Sequence, residues 1–495
     1  MTMLPWTIYS SFVGVLVLML LPAGNARAAR VTALIAAMAG LVCAVVSMFA
    51  LKTGSSIVTV TKLPWVPSLG IEYHLAADGI SLTLVLLTGI AAVTGILFSW
   101  NVEQRAKEFF GFYLALIGGV YGVFLSFDLF LLFVFYELAI IPKYFLIAIW
   151  GSTNKEYGAM KLALYSFVGS AMVLIGIVAA FVIAGGKTTS LIELAKYPFP
   201  EAFQYWAFPL VFIGFGILAG LWPFHTWAPT GHVAAPTAAS MLLAGVVMKL
   251  GAYGSLRVAM TLFPLGLKAW QGEIGLLAVI GIVYGAMVAL VQKDFKFVIG
   301  YSSVSHMGFV LLGLVTLHEV GLSGAVLQMF SHGIIAGLLF AVVGRMVYDR
   351  AHTRELAVLE GLKLSRALPF AAVTFAIASV ASMGLPGFSG FIAELQVLIG
   401  AWYAFPTYAV LAGVGILVGV AYTLRVLQKS FFSDREPDKV ERQPLEPISM
   451  PERIGAVILM ATTLVVGLYP RLLLDLIVPS FGSPLFEAMR KGGGL

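Results

Sequence analysis

Three ionisable residues interrupt stretches that are otherwise apolar. Glu137 stands in LFVFYELAIIPKYFLIAIWG, Lys249 in SMLLAGVVMKLGAYG and Glu394 in GFSGFIAELQVLIG. A charge at the centre of a bilayer costs about 2.5–3.5 kcal/mol on insertion scales, so each such residue is a functional candidate. Taken out of water, a carboxyl or amino group loses its usual preference for the charged form, and its hold on a proton answers to neighbouring charge. A group of that kind can take up and hand on protons. The plainer alternatives are a structural ion pair for Glu137, a partner or snorkelling lysine for Lys249 and a helix-break stabiliser for Glu394. His306 in YSSVSHMGFVLLG and His332 in LQMFSHGIIAG lie in neighbouring apolar runs beside serines. A lone histidine is ordinarily a packing residue, but two in adjacent runs suit a proton relay. His225 and His232 flank a helix break and are weaker candidates; His74, His318 and His352 read as loop residues.

Lys143 follows Glu137 by six residues, about 9 Å of helical rise and roughly 240° of rotation. The two do not share a face of a straight helix, and Pro142 intervenes. Lys143 either snorkels towards the helix end near Trp150 or joins the polar axis. The single cysteine, Cys43, excludes disulfides, iron–sulfur clusters and cysteine zinc sites within the chain. No CxxC, HExxH, GxSxG or P-loop is present, and no metal site is expected. Glycine-rich pieces such as GGVYG read as helix-packing residues.

These residues need apolar elements to hold them. The chain has 495 residues, 60% hydrophobic and 11% charged, where a soluble domain is about a quarter charged. Apolar runs of roughly 20 residues recur from residue 3 to residue 476, about fourteen in all. They are continuous rather than alternating, and backbone groups in lipid must be satisfied internally, so an all-α integral membrane fold is expected. No Lys or Arg precedes Arg27, which marks the first run as a retained span rather than a signal peptide.

The net charge of +6 is not a nucleic-acid signal. Basic residues gather after odd-numbered runs, at Arg27, Arg30, Arg105, Lys107, Lys155, Lys161, Lys293, Lys296, Arg345 and Arg350, and on to Arg435, Lys439, Arg442 and Arg453. After even-numbered runs there are only Lys52, Lys62, Lys187, Lys196 and Lys268. That bias puts the odd loops in the cytoplasm and both termini on the non-cytoplasmic side. Residues 433–452, charged and proline-rich, read as a cytoplasmic loop, and RKGGGL as a frayed tail.

Two runs carry helix breakers, LWPFHTWAP at 221–229 and GLPGFSG at 384–390. Irregular backbone at membrane depth survives only against protein or a wet cavity, and paired broken helices point to inverted repeats around an ion site. The breaks fall in runs 7 and 12, which suggests two inverted five-helix repeats, runs 4–8 and 9–13. The chain then divides into 1–107, 108–262, 263–432 and 433–495.

YELAIIPKYFLIAIWG, WPFHTWAPTGHVAAPTAASMLLAGVVMKLGAYG, KDFKFVIGYSSVSHMGFVLLG, LQMFSHGIIAGLLFAVVGRM and GLPGFSGFIAEL together resemble the antiporter-like proton-pumping subunits of complex I, the NADH–quinone oxidoreductase, most nearly the subunit M or chain 4 group. The resemblance spans nearly the whole chain and is strongest from 130 to 400. It implies fourteen helices and a hydrated polar axis. Glu137 becomes the fifth-helix glutamate, Lys249 the central lysine, His306 and His332 the relay and Glu394 the terminal carrier. Sister subunits L and N usually carry lysine at that last place, and subunit L has a long lateral helix for which this chain ends too soon. One departure stands out. The family has a lysine five residues before the proline of the first break, where this chain has Leu218, and its usual LPDAH reads APTGH here, with Thr230 for aspartate. Lys143 stands where the family more often has an apolar residue, so the cation is expected to have moved there.

The resemblance further implies a non-redox subunit of the enzyme without its own cofactor, with NAD, FMN, Fe–S clusters and quinone in partner subunits. Partners would be the other membrane subunits, especially neighbouring antiporter-like ones, and lipid, in a bacterial inner membrane. The alternatives are a subunit of a multi-subunit Mrp-type cation/proton antiporter, of a membrane-bound hydrogenase or formate hydrogenlyase, or a purely structural membrane subunit.

Overall fold

A computed structural model of the chain describes residues 3–22, 24–51, 53–433 and 444–491. Lys52, Arg435, Lys439, Arg442, the stretch 434–443 of the charged loop expected at 433–452, and the last four residues lie outside the described residues. The helices are α1 (Trp6–Leu20), α2 (Ala26–Ala50), α3 (Gly79–Phe98), α4 (Ala106–Leu125), α5 (Leu129–Trp150), α6 (Lys155–Ile183), α7a (Glu201–Ala219) and α7b (Trp227–Ala234). There follow α8 (Thr237–Met260), α9 (Pro264–Val291), α10 (Phe295–Val315), α11 (Glu319–Ala351), α12a (Pro369–Ser382), α12b (Ser389–Ala404), α13 (Pro406–Phe431), α14 (Met450–Leu468) and α15 (Arg471–Ser480). Among the described residues, twelve segments are long and apolar enough to cross a membrane; α1 and α12a are apolar but shorter.

Aspartates start several of these helices. Asp78, Asp128 and Asp294 accept from the backbone N–H groups of Ser81 (2.9 Å), Leu131 (3.0 Å) and Lys296 (2.7 Å), which satisfies donors left free in the first turn and suits the positive end of the helix. Burial then sorts the bundle. The apolar stretches of α3, α8 and α11 are wholly buried, whereas α2, α6, α13 and α14 leave more than half of theirs at the surface. A helix apolar on all sides belongs in a core or in lipid, so the central helices are the ones able to hold polar side chains away from lipid.

The expectation of helices alone needs one correction. Strands β1 (Val58–Val66) and β2 (Ile71–Ala77) pair antiparallel between α2 and α3. VTVTKLPWV is rich in β-branched and aromatic residues, and Gly70, at φ 63°, closes the turn. His74, expected in a loop, lies in β2 at 3% exposure, 3.2 Å from Thr59 Oγ1. Burial, and then the nearby Lys62 ammonium, hold it below the ordinary imidazole value. His318 instead caps α11, accepting from Val320 N–H at 3.3 Å.

Both expected breaks are present. After α7a the chain turns at Gly220 (φ 86°) and continues through a cis Trp222–Pro223 bond. The Trp227 indole donates to Ile217 O at 2.7 Å, so a carbonyl at the helix end is satisfied internally. Between α12a and α12b, Gly384 takes φ 71° and Gly387 φ 101°. Two π-helical turns, Leu243–Val247 and Ser255–Met260, lie within α8.

Candidate functional site

The buried helices bring four of the predicted residues into one continuous run. Lys249, between the two π turns of α8, is 0% exposed. Single π turns in α-helices cluster at functional sites. Its Nζ donates to Ala244 O at 2.5 Å and lies 2.7 Å from His332 Nδ1 on α11. An ammonium there donates to an accepting Nδ1, and a neutral amine accepts from an Nδ1–H, so one contact serves both positions of a proton. The His332 ring stacks on that of His306 from α10, with centroids 5.6 Å apart and planes at 28°. His306 Nδ1 then lies 2.9 Å from Glu394 Oε1, in the second turn of α12b. Gln328 Nε2 donates to the same oxygen at 3.2 Å, and Ser382 Oγ is 3.3 Å from His306 Nε2. A narrow cavity lined by Ser302, Ser303, His306, Gln328, His332 and Glu394 follows this run. Tyr422 of α13 donates to Ser302 Oγ at 2.7 Å and extends the polar contacts.

The break in α12 positions Glu394. A Cβ built on Gly384 would stand 2.9 Å from Glu394 Oε2. Gly384→Val is therefore expected to cost about 1–2 kcal/mol for the left-handed backbone alone and to displace the carboxylate as well. Thermal unfolding of the purified protein checks the first effect; an unchanged midpoint would contradict it.

A second cluster sits on α5. Lys143 does not snorkel. It is 0% exposed and donates to Ser166 Oγ of α6 at 3.1 Å. Glu137 is half-buried and within electrostatic reach of Lys143, but no described contact of 4 Å or less joins the two. The Ser170 hydroxyl donates to Phe167 O at 3.2 Å, and Glu137 Oε1 has no hydrogen-bond partner among the described residues. Leu218, at the place where the resemblance implies lysine, is 1% exposed and apolar. No described hydrogen bond connects this cluster to Lys249.

His232 is wholly buried against Trp227 and Phe340, within electrostatic reach of Lys249 and Lys296. His225 packs on Tyr284 and Tyr301 instead. Neither histidine has a partner for its ring nitrogens among the described residues. Among the described residues, three further cations are buried besides the predicted ones. Lys296, expected with the basic loop residues, is 3% exposed and donates to Ala235 O at 2.7 Å, beyond the end of α7b. Arg350 pairs with Glu452 at 2.8 Å, which ties α11 to α14. Arg257 pairs with Asp78, both at 0% exposure. Arg257 could have been found, since it lies in the same apolar run as Lys249, eight residues on.

Comparison with known proteins places these features in context. The family described as NADH:quinone oxidoreductase/Mrp antiporter, TM, matches residues 126–419. NADH-quinone oxidoreductase subunit M of Rhodobacter capsulatus is 39% identical over 428 residues, covering 83% of this chain and 82% of that protein. A chain of respiratory complex I from Thermus thermophilus with bound NADH superposes with a TM-score of 0.84 at 28% identity, covering 97% of this chain and 99% of that one. A chain of the Mrp complex from Dietzia sp. DQ12-45-1b shares the fold, with a TM-score of 0.85 at 22% identity over 100% of this chain and 99% of that one.

Proposed function

The chain belongs to the NADH:quinone oxidoreductase/Mrp antiporter transmembrane family, in its subunit M or chain 4 group, and on that premise we propose that it translocates protons along the run Lys249–His332–His306–Glu394. It does so as a membrane subunit of an NADH–quinone oxidoreductase. The observation that carries the reading is the 2.7 Å contact from Lys249 to His332, followed by stacked imidazoles and the 2.9 Å contact from His306 to Glu394. Protonatable groups from four helices meet there, away from lipid.

The twelve long spans, α1 and the α12a–α12b pair together make fourteen crossings. The breaks in α7 and α12, five helices apart, support two inverted repeats over 108–262 and 263–432, with 1–107 before them and 433–495 after. The charge bias of the loops sets both termini outside a bacterial inner membrane. NAD, FMN, Fe–S clusters and quinone belong to partner subunits, and this chain contributes no redox step.

In the proposed cycle, a charge change in a neighbouring membrane subunit reaches Glu137, whose half-buried carboxylate lies within reach of Lys143. That shift alters the balance at Lys249, which passes a proton through His332 and His306 to Glu394. Moving one charge against 100 mV costs about 2.3 kcal/mol, comparable to a change of about two units in a group's proton affinity at about 1.36 kcal/mol each. His232 lies beside Lys249 and assists it; His225 stays outside the run.

Lys143 is the buried cation for Glu137 in a chain whose α7a carries Leu218. Lys143→Met leaves the half-buried carboxylate without its counter-charge, which is costly. Proton translocation by the reconstituted complex should fall about tenfold or more, the factor that roughly 1.4 kcal/mol of barrier represents. Unchanged translocation would refute this role. Co-purifying partner chains test the wider reading: NADH-oxidising subunits are expected, and an assembly without redox subunits would favour the Mrp-type alternative.

A further inference from the structure

Two turns beyond Lys249 on α8, the guanidinium of Arg257 is wholly enclosed. It pairs with Asp78 at the start of α3 and lies 3.5 Å from Ser81 Oγ. The rings of Phe127, Tyr253 and Phe486 stand 5.4, 5.3 and 5.6 Å from its carbon. The Tyr253 hydroxyl donates to Phe124 O at 2.9 Å and so fastens one of these rings to α4. Arg257 comes eight residues after Lys249, about 12 Å along the helix, on the way to the end of α8 opposite the cytoplasmic loops.

An axis that hands protons sideways from Lys249 needs the direct way along α8 to be shut. Lysine and imidazole can each release a proton and take another, but guanidinium has donors only and does not deprotonate in proteins. A proton cannot be relayed through it, and a fixed positive charge in a narrow path repels a cation, as arginine does in water channels. Packing alone is a poor reason for this pair, because a buried ion pair is often no more stabilising than apolar residues of the same volume. Here Arg257 Nε and Nη1 and Asp78 Oδ2 are also buried without hydrogen-bond partners among the described residues, an arrangement that adds to the cost of burial.

We propose that the Arg257–Asp78 pair, walled by Phe127, Tyr253 and Phe486, is the outward seal of Lys249, a group that holds charge but cannot relay a proton and so directs protons to His332. This rests on the proton-carrier reading of Lys249. The test is passive proton conductance of the assembled complex in liposomes, under an imposed potential and without NADH or quinone. Arg257→Gln combined with Asp78→Asn removes both charges without stranding either one. Arg257→Lys keeps the pair but installs a group that can release a proton. Both are expected to raise conductance, the double variant by about tenfold, equivalent to roughly 1.4 kcal/mol of barrier. Adding Lys249→Met should close the leak again. Wild-type conductance in an assembled complex with Arg257→Lys would overturn the seal, as would a leak that persists without Lys249. Failure of the pump reading shows differently: Lys249→Met alone would then leave NADH-driven translocation intact.

Discussion

In a complex carrying Lys249→Met, proton translocation is expected to fall by at least about tenfold. Methionine fills the space without a proton to give, and the first contact of the run, to His332 at 2.7 Å, is lost. The informative companion is Lys249→Arg. It keeps a positive charge in the wholly buried site, but guanidinium stays protonated at any working pH. If Lys249 were only a counter-charge, arginine would restore function. The account predicts that arginine fails as methionine does, because release of the proton is what the position requires. Proton uptake by reconstituted vesicles during NADH oxidation measures both variants.

Glu394→Gln is the second change with a large expected effect. Glutamine keeps the shape and can still meet His306 Nδ1 and Gln328 Nε2, now at 2.9 and 3.2 Å from the carboxylate oxygen. It cannot ionise, so the run has no terminal carrier. Assembly and thermal stability should stay near wild type, while translocation falls by about tenfold or more. A variant that unfolds would mark Glu394 as a stabiliser of the α12 break, and one that pumps normally would remove it from the path. Comparison with Gly384→Val separates the two roles, since that change acts through position and leaves the carboxyl able to ionise.

Much of the site was legible in the sequence, because each of its members is a polar residue in an apolar run. Lys249, His306, His332 and Glu394 stand out one at a time for that reason. Their contact did not show, since Lys249 and His332 are 83 residues apart and no local pattern encodes which buried faces meet. The helix breaks were legible through proline and glycine, at 221–229 and 384–390. The hairpin Val58–Ala77 was not read, because its strands lie in a short polar interval whose alternation is weak beside spans of about 20 residues. Arg257 and Asp78 were passed over for a related reason. Each lies at the edge of an apolar run, where a charged side chain is ordinarily taken to face water, and only the packing of α3 against α8 shows that both are enclosed. Lys143 was the reverse case. Its spacing from Glu137 left snorkelling open, and its burial against Ser166 decided for the interior.

The central claim is that protons cross by way of the imidazole link between Lys249 and Glu394. The most direct measurement is the ratio of protons translocated to NADH oxidised for the complex in sealed liposomes, wild type against His332→Leu. This change breaks the link and leaves both end groups in place. The account predicts a lower ratio, with the loss matching that of Lys249→Met. An unchanged ratio at an unchanged rate of NADH oxidation would contradict it.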